Sequence, residues 1–207
     1  MKKLLLAATV LASSFAFAQT SFGAKAGYDL SNMKFKDAYS NELKFDSKSY
    51  FYIGGFVEHK FNEKFALQGE LVYTEIGGSI KMELTDIVGT EIIDAGKVTY
   101  KSKYPQLQIP ISAKYYFVPN FNILGGMNFG INLNPTVKTD FTINGSNGGK
   151  QENVKTLNMF PFVGAEYLFT KNFSVDARYN FGAFNINESG IDGRISFLQI
   201  GFGYRFK

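Results

Sequence analysis

Eight stretches of this chain alternate residue by residue, with apolar or aromatic side chains on one face and almost all the charge on the other. A period of two is that of a β-strand, whose successive side chains point to opposite faces of a sheet. Phe51, Ile53, Gly55 and Val57, then Phe65, Leu67, Gly69, Leu71 and Tyr73, share one face, while Phe56, Glu58, Gln68, Glu70 and Thr74 share the other. Further on, Phe121, Ile123, Met127, Phe129 and Ile131 oppose Asn122, Asn128 and Asn132, and Phe173, Val175, Ala177, Tyr179 and Phe181 oppose Ser174, Asp176, Arg178 and Asn180. The first strand (about Thr20 to Leu30) and the last (about Ile195 to Lys207) obey the same rule. So do one that runs to Phe117 with Leu107, Ile109, Ile111, Ala113 and Tyr115 outward, and one that runs to Phe169 with Met159, Val163, Ala165 and Tyr167 outward.

A repeated turn punctuates the pattern. Phe61-Asn62-Glu63-Lys64-Phe65, Phe117-Val118-Pro119-Asn120-Phe121 and Phe169-Thr170-Lys171-Asn172-Phe173 share the form F-x-x-x-F at intervals of 56 and 52 residues. Short Asn-containing segments between alternating runs suit tight hairpin loops, and a regular hairpin period in an all-β chain means a barrel or a sandwich. The other four connections are long: residues 31–49, roughly 81–96, 134–154 and 185–193. Short turns at one rim and long polar loops at the other are the asymmetry of outer-membrane barrels, with both termini at the periplasmic rim. The Gly-rich, mixed-charge loops are expected to be mobile.

A soluble eight-stranded barrel would have the same count but the opposite polarity, greasy inside and charged outside. Here the charged face carries Lys25, Asp29, Glu58, Glu70, Lys114, Glu166, Asp176, Arg178 and Arg205, four positive and five negative. Charges near the bilayer midplane cost ~2–4 kcal/mol each on a lipid-facing surface, so these nine belong in the lumen. An eight-stranded barrel is just wide enough for side chains to fill it, and charges in such a space persist only when paired. Phe61, Phe65, Phe117, Phe121, Phe169, Phe173 and Phe206 fall at the turn rim, and Phe51, Tyr73, Phe129 and Phe181 toward the other. The separation fits strands of ~9–11 residues across a bilayer, which makes these residues the two aromatic girdles. The expected fold is therefore an all-β, eight-stranded antiparallel up-and-down transmembrane β-barrel in the bacterial outer membrane. If Phe169 pairs with Phe173, Glu166 stands opposite Asp176, and Arg178 with Arg205 is expected to bridge the two carboxylates.

The N-terminus agrees with this address. Lys2 and Lys3 precede a short apolar run from Leu4 to Phe17, and Ala16-Phe17-Ala18 offers a small-x-small cleavage site before Gln19. Residues 1–18 are therefore expected to be a cleaved signal peptide and 19–207 the barrel domain. The run is shorter than the ~20 residues of a spanning helix. Losing Lys2 and Lys3 lowers the formal charge from +4 to +2, and no basic run suggests a nucleic-acid partner. The absence of cysteine excludes a disulfide framework, a thiolate metal site and a Cys-anchored lipoprotein.

The chain resembles the PorT-like outer-membrane β-barrel family common in Bacteroidetes, small eight-stranded barrels of OmpX/OmpA-like build. The resemblance covers the whole mature chain. It is carried by Glu70-Leu71-Val72-Tyr73-Thr74 with Gly77-Gly78, by Leu107-Gln108-Ile109-Pro110-Ile111 running into Lys114-Tyr115-Tyr116-Phe117, and by the terminal Gly201-Phe202-Gly203-Tyr204-Arg205-Phe206. It implies the fold and recognition by the barrel-assembly machinery; one branch of the family is associated with type IX secretion, a role not carried over here. Phe206 is penultimate, whereas such assembly signals usually end on the aromatic.

Catalytic chemistry is not expected. The only histidine, His59, falls on the outward face two residues before Phe61. Glu58 and Glu70 could be imagined as an acid/base pair, but a packed lumen admits no substrate and a structural ion-pair role is preferred. No catalytic, cofactor-binding or metal-ligating residues are assigned. Phe56, Phe160 and Phe162 inward argue for a plug rather than a channel. The expected function is that of a non-enzymatic structural or interaction barrel acting through its extracellular loops; the alternative is an accessory subunit of an export system or a narrow pore. Expected partners are outer-membrane lipids and lipopolysaccharide, the assembly machinery, and a protein or glycan at the loops, with the barrel itself a monomer.

Overall fold

The computed structural model describes residues 19–36, 42–88, 91–143, 146–188 and 192–206; the expected signal segment lies outside the described residues. Alternation produces strands throughout: β1 (Thr20–Lys36), β2 (Glu42–Lys44), β3 (Asp46–Lys60), β4 (Phe65–Val88), β5 (Glu91–Val118), β6 (Phe121–Asn132), β7 (Thr136–Ile143), β8 (Ser146–Lys150), β9 (Leu157–Leu168), β10 (Phe173–Asn180) and β11 (Asp192–Arg205). Eight of them hydrogen-bond in the order β4-β3-β1-β11-β10-β9-β6-β5, and β5 returns to β4 to close the ring. All pairings are antiparallel, including the seam between the first and last strands, where Ala26 faces Phe202 and Lys34 faces Arg194.

The turns differ in detail. Phe61 and Phe65 close the first by an N–H···O bond of 2.9 Å, and the Asn62 carbonyl accepts the amides of Lys64 and Phe65 at 2.8 and 2.9 Å. In the third, Thr170 Oγ1 takes that part for Asn172 and Phe173. The middle turn narrows to Pro119 and Asn120, with the register slipping between Tyr116 and Val118. Proline's fixed φ and missing N–H account for the departure.

The long connections are not open loops, contrary to the sequence expectation. β4 and β5 continue pairing through Lys81↔Thr99 to Val88↔Glu91, and β7 and β8 add to the edge of β5. Strand pairing needs only backbone groups, so a ladder whose register is set inside the bilayer can run on without apolar alternation. Between β10 and β11, Ile186 and Asn187 fold inward. Ile186 is fully buried, Val154 bridges Asn187, and the Lys155 amide donates to the Ile186 carbonyl at 2.9 Å.

The lumen is solid and layered. At the turn rim Ala66, Tyr116 and Leu168 form a floor. Above it lie charged side chains and then an amide layer, in which Asn128 donates to Gln108 (2.8 Å), Gln108 to Gln106 (2.9 Å) and Gln106 to Asn132 (2.9 Å). The hairpin rim is capped by an apolar cluster of Met33, Ile76, Tyr104, Phe160, Ile186, Ile195 and Phe197. Phe56 and Phe162 are buried lower down.

Candidate functional site

All nine charged residues singled out from the sequence point into the barrel, and eight of them sort into two groups. In the lower group Lys114 Nζ contacts Glu58 at 2.7 Å and also Glu166, while Arg205 Nη2 reaches Glu58 at 3.1 Å and Glu166 at 3.6 Å. Tyr116 adds a hydroxyl to Glu58 at 2.8 Å. In the upper group Lys25 Nζ lies 3.2 Å from Glu70 and 2.9 Å from Asp176, while Arg178 binds the same two carboxylates at 2.8 and 2.9 Å. Gln68 donates to Glu70 at 2.6 Å. Each group is two cations with two carboxylates, so each is neutral by itself. Neutrality within each group is what a low-dielectric interior requires.

The ninth residue, Asp29, stands apart; Thr74 donates its hydroxyl to it at 2.6 Å. Glu166 does sit directly opposite Asp176. The expected bridge between them is corrected, however. Arg178 ties Asp176 across the lumen to Glu70, and Arg205 ties Glu166 to Glu58, so no single arginine spans the opposed pair. Each acid is neutralised by a different group, which removes the like-charge conflict without a shared cation.

Lys25, Glu58, Glu70, Lys114, Glu166, Asp176 and Arg178 are all buried within the lumen. A void of about 10 Å³ remains among Lys25, Gln68, Glu166, Asp176 and Arg178, room for one water at most. Glu58 and Glu70 are each held by two cations. His59 faces outward, with Nδ1 2.9 Å from Thr20 Oγ1 and its ring edge-on to Phe61 at 5.1 Å. Among the described residues no three potential ligands are grouped to hold a metal ion.

The outer wall is apolar, as the alternation requires. Phe61, Phe65, Phe117, Phe121, Phe169, Phe173 and Phe206 are all exposed around the turn rim. Edge-to-face contacts tie several into a belt, including Phe65–Tyr115 and Tyr115–Phe117.

Beyond the opposite girdle the extended sheet presents a basic face. Cross-strand register places Lys103 beside Gly77, Lys101 beside Ser79 and Thr99 beside Lys81. It then sets Lys138 opposite Lys101, Thr136 opposite Lys103, and Lys150 opposite Thr136. Directly opposed residues share a face. Lys103 is paired with Glu75 at 2.8 Å, and Asp140 accepts the Thr99 amide at 2.6 Å. Asp46 stands opposite Ser79 on the other side of β4, so five lysines against Glu75, Asp140 and Asp46 leave this face at a net +2 among the described residues. The sequence signal was present as alternating lysines, but only the strand extension and the added β7 and β8 gather them.

A family model for the outer membrane protein beta-barrel domain matches residues 17–188. Among solved structures, the chain is similar to Ail, the attachment invasion locus protein of Yersinia pestis, in complex with the heparin analogue sucrose octasulfate. The TM-score is 0.54 at 16% identity, covering 91% of this chain and 99% of that one. Neisserial surface protein A (NspA) is similar at a TM-score of 0.50 and 19% identity, with 90% and 99% covered. At such identities the likeness is one of fold. No curated protein matches by sequence. With eight closed strands, an apolar outer wall and a family match across most of its length, the chain belongs to the outer membrane protein beta-barrel domain family and resides in the bacterial outer membrane.

Proposed function

We propose that this barrel is a non-enzymatic cell-surface binding protein whose extracellular sheet engages an anionic glycan. The observation that carries the reading is the lysine face on β4, β5, β7 and β8. Lys101 directly opposite Lys138 is unfavourable in isolation, since like charges across a strand pair repel. A sulfated or phosphorylated polymer laid across the sheet relieves that repulsion and meets an excess of cations. The polysulfate bound to Ail is a ligand of this chemistry on a barrel of similar fold.

The filled lumen supports a plug rather than a pore, and the locked carboxylates support a role without catalysis. The same reading has the barrel inserted by the barrel-assembly machinery as a monomer among outer-membrane lipids and lipopolysaccharide. Placement in the PorT-like branch rests on the motifs around Glu70, Lys114 and Gly201.

The test is chromatography of the refolded barrel on immobilised heparin, eluted by salt. Lys101→Gln/Lys138→Gln/Lys150→Gln is expected to elute at markedly lower salt than wild type, and Lys64→Gln/Lys171→Gln, at the opposite rim, at the wild-type position. Equal elution of the triple variant, or equal retention on neutral dextran, refutes the proposal. In planar bilayers the barrel is expected to show no steady conductance; a stable open state would favour the pore reading.

A further inference from the structure

On the outer wall, β1 and β11 pair in a ladder that follows the profile of a bilayer. Upward from Tyr28, which stands opposite the girdle residue Phe51 and packs edge-on to it at 5.9 Å, the outward pairs are Tyr28↔Ile200, Leu30↔Leu198, Asn32↔Ser196 and Lys34↔Arg194. Apolar pairs give way to a neutral polar pair and then to two cations directly opposed. The four steps from Leu30 to Lys34 span about 13 Å of strand, or roughly 10 Å along the membrane normal at the usual barrel tilt. A height just above an aromatic girdle is that of lipid headgroups.

The same place is hollow. β10 stops at Asn180, whereas β11 continues up to Asp192 and β1 to Lys36. Beyond Asn180 the chain leaves the ladder, with Ala183 and Phe184 exposed before Ile186 is buried, and a lateral notch of about 790 Å³ is left in the wall. Asn32 and Ser196 lie at its base, Tyr179 and Phe181 along one side, and Lys34 and Arg194 above. Tyr179 and Phe181 are partly exposed and packed edge-to-face at 5.0 Å, as aromatic residues at a membrane interface commonly are. Asp192 also lines the notch and pairs with Arg194 at 2.9 Å.

We infer that this notch is a binding site for the phosphate of an outer-leaflet lipid. The guanidinium of Arg194 and the ammonium of Lys34 bind the phosphate, Asn32 and Ser196 offer hydrogen bonds to the adjoining sugar or glycerol, and the acyl chains descend over Leu30, Leu198 and Tyr28. Arginine suits the task because its fork of donors matches phosphate oxygens. Asp192 holds that fork in position while competing with the phosphate for it. The inference does not depend on the glycan reading, since the notch lies on a different part of the wall from the lysine face.

The test is native mass spectrometry of the refolded barrel in a maltoside detergent, which carries no phosphate. The barrel is titrated with phosphorylated lipid A and with the same lipid after removal of its phosphate. Wild type is expected to bind the phosphorylated lipid several-fold more tightly, Lys34→Gln/Arg194→Gln to lose that preference, and Lys101→Gln/Lys138→Gln to keep it. Asp192→Asn is expected to bind more tightly than wild type, an outcome that loss of structure does not produce. Equal binding of both lipids, an unchanged preference in the double variant, or weaker binding by Asp192→Asn overturns the site. Displacement of the lipid by millimolar inorganic phosphate would assign the site to a free anion and overturn the lipid assignment.

Discussion

Replacing Arg178 by leucine isolates the energetics of the upper charge group. The guanidinium is 2% exposed, bonds Glu70 and Asp176, and lies 5.4 Å from the Phe162 ring centroid. Without it the group becomes one lysine against two carboxylates, in an interior with no solvent to take up the excess. Breaking one partner out of a buried pair costs about 3–5 kcal/mol, because the charge left behind is uncompensated. With a guanidinium m-value of roughly 2–6 kcal/mol per molar, the unfolding midpoint should fall by about 1 M. The assay is equilibrium unfolding of the barrel in lipid vesicles, followed by tyrosine fluorescence. Adding Glu70→Gln to Arg178→Leu restores one lysine against one carboxylate, Lys25 with Asp176, and should recover at least half the loss. A midpoint unchanged in Arg178→Leu, or a double variant no more stable than the single, would refute the reasoning.

Other expectations rest on local geometry. A methyl group at position 201 would lie 1.7 Å from Tyr52 Oη, so Gly201→Ala should sharply reduce the folded fraction on a heat-modifiability gel. Gly69→Ala, with nothing within 4 Å, should not. Asn62→Ala removes the acceptor for two turn amides and should cost about 1 kcal/mol in the same unfolding assay. Asp140, on the extracellular sheet, is held below the usual carboxylate range by hydrogen bonds from the Thr99 side chain and then its amide. A pKa depressed by folding contributes stability above the ordinary carboxylate value and loses it as pH falls through the folded value. A carboxyl-resolved NMR titration should therefore place Asp140 low, and Thr99→Ala should raise it.

The wall of the barrel was legible because lipid and lumen impose opposite chemistry on alternate residues. Phe173 and Asp176 could be assigned to opposite faces from parity alone, and the F-x-x-x-F turns located the rim. Register across a tight turn likewise put Glu166 opposite Asp176. Of the partners of Arg178, Asp176 was expected but Glu70 was not legible, since that contact crosses the lumen between residues 108 apart, at a height fixed by the closed ring. Met33, Ile76 and Ile195 sit on a face that reads as polar lower down, so their joining into a cap is visible only once Ile186 folds in. The upper parts of β4, β5 and β7 read as loops because Lys81, Lys101 and Lys138 lie beyond the bilayer, where neither face must be apolar. The basic face was hidden for the same reason.

The two neutral groups also constrain the order in which the molecule can be made. Lys25 comes from the first strand, Glu70 from the third of the ring and Asp176 from the seventh, while Arg205 of the last strand reaches Glu58, 147 residues earlier. None of these links spans neighbouring strands of a growing, uncurled sheet. Until the first and last strands meet, only Arg178 and Asp176, two residues apart on β10, have a partner at hand, and the membrane would confront the other charges singly, at ~2–4 kcal/mol apiece near its centre. The pairs that cross the lumen thus act as a latch that engages only in the finished ring. A half-inserted sheet gains nothing by waiting, and crossing the bilayer and shutting the seam become one step.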